Sequence, residues 1–259
     1  MLPQLLRIIL ITGGIVLCTL MPFLPGRYDA LAVPISMLAQ LFAKVGLLLV
    51  PAGIVWMFSA RAGRVVAIIA CALVALVLSL GIAMESIALG VIMFAFGASL
   101  VVRLIRTQAR VPLYLIAVPI AVALIQFAVA DRIVESSRSR GIRNSAAIIA
   151  DIERYRVANG RYPESVVSMW PDYWPGSIGI RRFEYEPNGD SYNLMFENPT
   201  VQLGLREIVM YNPKGEQRMT SHAMDVLQLT PAQLALDRQR GHNALHDARQ
   251  PGWKYFWFD

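Results

Sequence analysis

The sequence predicts an α-helical membrane bundle of about five spans joined to a small α+β domain with one long helix and a 3–4-stranded antiparallel sheet. Composition is the first observation: 56% of the 259 residues are hydrophobic, only 16% are charged, and the mean hydropathy is +0.48. A soluble core of this size needs less apolar material than that. Charge distribution is the second. Residues 1–130 hold eight Lys/Arg and two Asp/Glu, which leaves sixteen of each for residues 131–259. The third is a change of pattern, from unbroken apolar runs before Ala130 to helical and then strand-like stretches after it. The expected division is therefore a transmembrane helical region over 1–130 and an extracytoplasmic domain over 131–259.

This charge split also excludes a function class. The whole +6 net charge belongs to the apolar half, and a reader of nucleic acid would carry its basic surface on the soluble half. The lipid bilayer is the first partner expected, and nucleic acid is not one.

Five runs approach the roughly 20 residues that a helix needs to cross hydrocarbon: Ile8–Leu24, Leu41–Phe58, Val65–Met84, Ser86–Leu104 and Val111–Ala130. Arg61 and Arg64 lie in the second connection and Arg103, Arg106 and Arg110 in the fourth. The positive-inside rule then places the N-terminus in the cytoplasm and everything after Ala130 outside, as expected of a multi-pass membrane protein. The third and fourth runs nearly touch through Glu85, so a four-span count stays open; an even count would reverse the tail, against the loop arginines. The first run is expected to stay as an anchor, because TLMPFLPG follows where a small-x-small cleavage site would be. Cys18 and Cys71 both fall within spans, so the outer domain is expected to hold together by packing without disulfides.

Within the spans, Lys44 and Glu85 are the ionisable residues to explain. Lys44 is expected to snorkel to the interface, with residues 31–40 lying along it, and the competing reading is an ion pair or substrate contact with Glu85. Pro51 and Gly53 can kink the second span, while Ser86, Gly90 and Gly97 form a stripe that permits close helix approach.

Beyond the membrane, Ile148, Ile152 and Tyr155 recur at helical spacing with Ile149 beside them, giving one apolar face. Asn159-Gly160 stops this helix, since both residues tolerate the left-handed conformation, and Pro163 prevents its resumption. The helix is expected to run from the membrane to Ala158 with a weak point at Gly141. FEYE and SYNLMF then flank PNGD as a hairpin turning on Asn188-Gly189, and LREIVMYN reads as the next strand. One face of the sheet is expected to pack on the helix.

A span, an amphipathic helix running out of it, the phrase Y-R-V-A-N-G-R-Y-P over Tyr155–Pro163, a loop and a small antiparallel sheet together resemble the type IV pilin fold, and most closely the major pseudopilins of type II secretion. The resemblance covers residues 111 to about 220. It implies the fold, and it carries Tyr155, Gly160, Tyr162 and Pro163 over as structural residues. Prepilins of this kind carry a Gly-Phe processing site and a Glu five residues into the mature helix, whereas the span here begins TQARVPLYLIAV after four others. Neither cleavage nor polymerisation by that route is implied. Such pseudopilins often bind calcium in a loop; Asp172, Asp190 and Glu197 are available, without the spaced oxygen ligands a site needs.

The tail adds a helix starting at Thr230-Pro231 and ending near Gly241, then the aromatic cluster GWKYFWFD, expected in the domain core with the lipid interface as alternative. His242 and His246 are spaced i, i+4 and Asp247 could complete a metal site on a helix; without an HExxH frame, the reading preferred is two solvated histidines and no cofactor. No nucleophile elbow or phosphate loop is present in the sequence. The function expected is a non-enzymatic membrane protein that presents its outer module to a membrane or periplasmic protein, or to a second copy, in a secretion or envelope assembly. The alternative is a membrane enzyme or small-molecule transporter with the module as a regulatory cap.

Overall fold

The computed structural model describes residues 2–85, 87–106, 111–166, 172–202, 205–217 and 246–258. They form six helices and five strands in the order α1 (Leu2–Leu20), a 3-10 turn Met21–Phe23, α2 (Ala32–Phe58), α3 (Ala60–Glu85), α4 (Ile87–Arg106), α5 (Val111–Asn144), α6 (Ala146–Asn159), β1 (Glu184–Asn188), β2 (Ser191–Asn198), β3 (Arg206–Tyr211), β4 (His246–Asp247) and β5 (Trp253–Phe258). The helix expected to start at Thr230 lies outside the described residues. The chain divides into a helical unit, residues 1–17 and 39–128, and a mixed unit, residues 18–38 and 129–259.

In the helical unit, four stretches are long and apolar enough to cross a membrane: Leu2–Phe23, Ala32–Phe58, Arg61–Leu80 and the run beginning at Val111; α4 contributes a shorter apolar stretch, Gly90–Val102. Small side chains fill its interior. Ala43 packs with Val118 and Val122, and Ala52 with Trp56 and Ala67. Gly97 lets α4 approach α3, because a Cβ there would lie 2.5 Å from that of Ala75. Residues 32–40 are continuous with the rest of α2, which is one helix from Ala32 to Phe58 with Pro51 inside it. Lys44 is exposed; the side chain of Glu85 lies outside the described residues, as does Ser86.

In the mixed unit, α5 and α6 are separated by Ser145 alone, where Ser145 Oγ donates to Ile142 O at 2.6 Å. The break therefore falls four residues beyond Gly141. That glycine has a packing role instead: a Cβ on it would come within 2.5 Å of the Phe196 ring, so its absence lets the helix lie on the sheet. The strand order is β1-β2-β3-β5-β4, antiparallel throughout. The expected sheet gains β5, which pairs with β3 along its whole length; the aromatic tail is a strand, and Trp253 and Phe256 on it are buried. Alternation did not reveal it, because its residues carry too few polar partners to mark a face.

Register puts Tyr192, Leu194 and Phe196 of β2 on the same face as Val209 of β3 and Trp253 of β5, and these join Ile142, Ile148 and Ile152 in one core. This is the face expected to pack on the helix; the opposite face is buried too, with Met195, Ile208, Met210 and Phe256 each at 8% exposure or less. Tyr155 leaves the predicted apolar stripe: it is 38% exposed, while Ile148 and Ile152 are fully buried. The hairpin turn is shifted by one residue. Asn188 pairs with Ser191 as the end of β1, so Gly189-Asp190 forms the loop, with Gly189 at φ +61°.

The largest departure is the segment after α1, which belongs to the mixed unit. Leu24–Asp29 lies against Gly176–Gly179, with Ile178 N donating to Leu24 O (3.0 Å), Gly26 N to Gly176 O (3.1 Å) and Asp29 N to Ile178 O (3.0 Å). Phe23 is 1% exposed, and Arg140 Nη1 donates to Phe23 O at 2.9 Å and to Ser177 Oγ at 2.8 Å. A short connection between two helices thus supplies core to a domain that follows it by a hundred residues.

Candidate functional site

Two places on the mixed unit draw the chemistry-bearing residues together. One is the end of α6. Gly160 has φ +70° and its N–H donates to Arg156 O at 2.8 Å, closing the helix, while Asn159 Nδ2 donates to Tyr155 O at 2.8 Å. The chain then turns so that Tyr162 packs edge-on to Tyr192, with ring centroids 4.9 Å apart. The Tyr162 hydroxyl accepts from Arg156 Nη1 at 2.8 Å and donates to Glu153 Oε1 at 3.3 Å. Pro163 is buried, and its carbonyl accepts from the Tyr185 hydroxyl at 2.6 Å. Burial, with Tyr162 and Glu153 nearby, pushes the Tyr185 phenol up to about 12. So the phrase YRVANGRYP ties the helix to the first two strands, and its hydrogen bonds are internal ones.

The other place is a cavity of about 970 Å³ between the outer part of α5 and the β5 side of the sheet. Arg138, Glu135 and Trp257 of its lining belong to a buried charge network centred on Glu207. Glu207, wholly buried at the start of β3, accepts from Arg138 Nε (2.9 Å) and Nη2 (2.6 Å), from Asn198 Nδ2 (2.8 Å) and from Trp257 Nε1 (2.9 Å). Asn198 and Trp257 are its cross-strand neighbours on β2 and β5, so the sheet register delivers both donors. Arg138 lies 3.5 Å from the Tyr255 ring centroid and also pairs with Glu135 one turn earlier. Burial opposes the charge on Arg138, but Glu207 outweighs it and holds the guanidinium above its ordinary range. A bidentate pair with every carboxylate lone-pair direction used is how such a pair survives desolvation.

Around that network, the walls are mixed. His246 stacks on Tyr255 at 5.2 Å and meets Trp257 at 4.8 Å. His246 stands on strand β4 and not on a helix, so helical i, i+4 geometry does not describe it; His242 lies outside the described residues. Asp247 is exposed, with Lys254 Nζ at 4.0 Å. Among the described residues no group of three His, Cys, Asp or Glu is placed to hold a metal ion. Asp190 sits at the hairpin paired with Lys214, and Glu197 lies on β2. Arg138 and Glu207 were not singled out from sequence. The available signal was an acidic residue opening the apolar stretch Ile208–Met210, which asks for a buried cation.

Comparison with protein-family models, with curated proteins and with solved structures finds no match to this chain. The arrangement is therefore interpreted from its own chemistry. Paired charges stand there beside half-buried aromatic rings and the exposed guanidiniums of Arg132 and Arg249.

Proposed function

We propose that this chain is a multi-span protein of a bacterial inner membrane, with a cytoplasmic N-terminus, whose mixed unit is a non-enzymatic, pilin-like and pseudopilin-like binding module on the outer side. It serves a protein partner of a secretion or envelope assembly, or a second copy of the chain. The observation that carries the binding reading is the 970 Å³ cavity, in whose wall Arg138 is committed to Glu207 and Glu135 and Arg249 faces Glu135. A catalytic group would need to be free at the reacting atom. Tyr155, Val157 and Trp174 stand 38%, 86% and 48% exposed on the same unit and are open to a partner.

The alternative reading draws on a second cavity, of about 300 Å³, in the helical unit, lined by Phe42, Cys71, Met93 and Phe96 among others. Its walls are apolar, which suits an acyl chain more than a polar solute.

A photo-reactive residue placed at Val157 or Trp174 in full-length protein in its own membrane should give a discrete adduct with one partner or with itself. Smeared or absent adducts at both positions would overturn the partner reading. Orientation is tested separately: a reporter active only outside the cytoplasm should work after Asp259 and fail between Arg61 and Arg64, and the reverse result overturns the topology. The protein should run at the same size in cells with and without an active prepilin peptidase, and a peptidase-dependent fragment would overturn the internal placement of the span that begins at Val111.

A further inference from the structure

We propose that the large cavity of the mixed unit holds the phosphate-bearing headgroup of a membrane phospholipid. The inference rests on the membrane reading above, since it requires residues 111–130 to lie in hydrocarbon, and it adds a ligand to the partner proposed there.

Place is the first argument. The cavity wall begins at Ala130, the last residue of the apolar run, and continues up α5 through Glu135 to Ser139. At 1.5 Å per residue, this wall covers roughly 14 Å of helix directly beyond the hydrocarbon boundary. The headgroup layer of one leaflet is roughly 5–8 Å deep. The lower part of the cavity therefore lies at headgroup level, and its volume is ample for a phosphodiester with its glycerol.

Chemistry is the second. Arg132 is exposed beside the cavity and makes no hydrogen bond or ion pair among the described residues. Arg249 enters from the other side, 82% exposed and 3.6 Å from Glu135, a contact longer than a hydrogen bond. Arg138 balances only one of the two carboxylates Glu135 and Glu207, and Arg249 faces Glu135, so Arg132 is the guanidinium left over, while Arg249, held by that one long contact, is shared between Glu135 and a ligand. A planar guanidinium fork matches a phosphate better than an ammonium does. Asp131 stands at the same level and would repel a free dianion, while tolerating a phosphodiester with a single charge or with an ammonium arm. Tyr255 and Trp257 face the same space, and amphipathic rings are favoured where hydrocarbon meets water. Val134 and Leu205 supply apolar wall for the glycerol ester region.

Full-length protein in nanodiscs of phosphatidylcholine, doped with a phosphatidylethanolamine bearing a headgroup diazirine, tests this directly. Photo-adducts should concentrate in the peptides covering 130–139 and 249–257. Arg132→Gln with Arg249→Gln should lower them by about tenfold, the effect of losing two charge-assisted contacts. Both residues are exposed, so an unchanged melting temperature should confirm that the variant folds. Adducts spread evenly along the helices and indifferent to the substitutions would mean annular lipid and overturn the proposal. Suppression by inorganic phosphate would mean a soluble-anion site and overturn it as well. Membrane flotation after alkaline wash keeps the two readings apart: protein that floats but shows no cavity adduct refutes the headgroup site alone, and protein that does not float refutes the membrane reading beneath it.

Discussion

The two units of this chain are built with opposite interiors. In the helical unit the buried positions are mostly small, such as Ala43, Ala52 and Ala67, while large side chains point outward: Phe127 is 90% exposed, Phe58 87% and Leu48 71%. In the mixed unit the interior is aromatic, with Tyr192, Phe183, Phe196 and Trp253 at 4% exposure or less. Each arrangement suits one solvent. In hydrocarbon a large apolar side chain gains little by moving inside, so close helix contact selects small residues. In water the same side chain gains about 25 cal/mol for each Å² removed, so it goes to the core. The contrast also shows that the units do not follow chain order, because residues 18–38 lie with the mixed unit although helical-unit residues flank them on both sides.

The largest test of this contrast concerns charge. Glu207→Ala takes the bidentate partner from buried Arg138, leaving it Glu135 alone, and strands the donors of Asn198 and Trp257, which should cost about 3–5 kcal/mol and unfold the mixed unit first. Replacing the pair together, Arg138→Met with Glu207→Leu, should recover most of that loss. Tryptophan fluorescence of full-length protein in detergent reads the outcome, since four of the five Trp residues, Trp170, Trp174, Trp253 and Trp257, belong to this unit. A single substitution as mild as the double one would mean that the network is not buried in solution.

Phe23→Ala should also cost about 3–5 kcal/mol, despite its place in a connection between apolar helices, because it removes a fully buried ring. The same fluorescence transition measures it. An effect below about 0.5 kcal/mol, the size of an ordinary surface substitution, would detach residues 18–38 from the mixed unit.

Close helix contacts provide the next comparison. Gly141→Val and Gly97→Val each drive a side chain into a neighbour 2.5 Å from the added Cβ, Phe196 in the first case and Ala75 in the second. Overpacking should cost about 1–3 kcal/mol at each. Only the first should move the fluorescence transition; the second should instead lower the heat resistance of helical circular dichroism. If both moved the same signal equally, the units would not be separate cooperative bodies.

Alkaline pH offers a third handle, confined to the mixed unit. The folded Tyr185 phenol is raised to about 12, chiefly by burial, and Tyr192 is raised by the same cause. Their ordinary value is about 10. The neutral phenol is favoured by folding, so this stability is complete below about pH 10 and is lost as pH climbs through the folded value. Tyrosinate absorbance should appear late for these residues, together with unfolding. Full titration near pH 10 with the fold intact would refute their burial.

The smallest effects are at the end of α6. Gly160→Val has open space for its side chain but must adopt φ +70°, so a loss of about 1 kcal/mol is expected, from backbone strain alone. Arg161→Ala removes an ion pair with Glu164 in which both partners are largely exposed, and should shift stability by less than about 0.5 kcal/mol. Melting curves of the two variants in full-length protein decide the matter. Unchanged melting for Gly160→Val with loss of a crosslinked partner would make the phrase a recognition site.

What the sequence determined by itself was local. Runs of some 20 apolar residues, the glycine stop after Asn159 and the strand stretches on either side of Gly189 depend on near neighbours, so helices, cap and the first three strands were legible within a few residues. The tertiary structure decided what depends on distant partners. Ser145, and not Gly141, marks the break because Phe196 needs the glycine. The hairpin turns one residue late because β1 and β2 pair through Asn188 and Ser191. The tail is a strand because β3 offers it an edge, and Phe23 is core because Arg140 and the 176–179 segment hold its backbone. Glu207 meets Arg138 only because the sheet register and the helix bring them together across 69 residues. No periodicity within either segment carries that information.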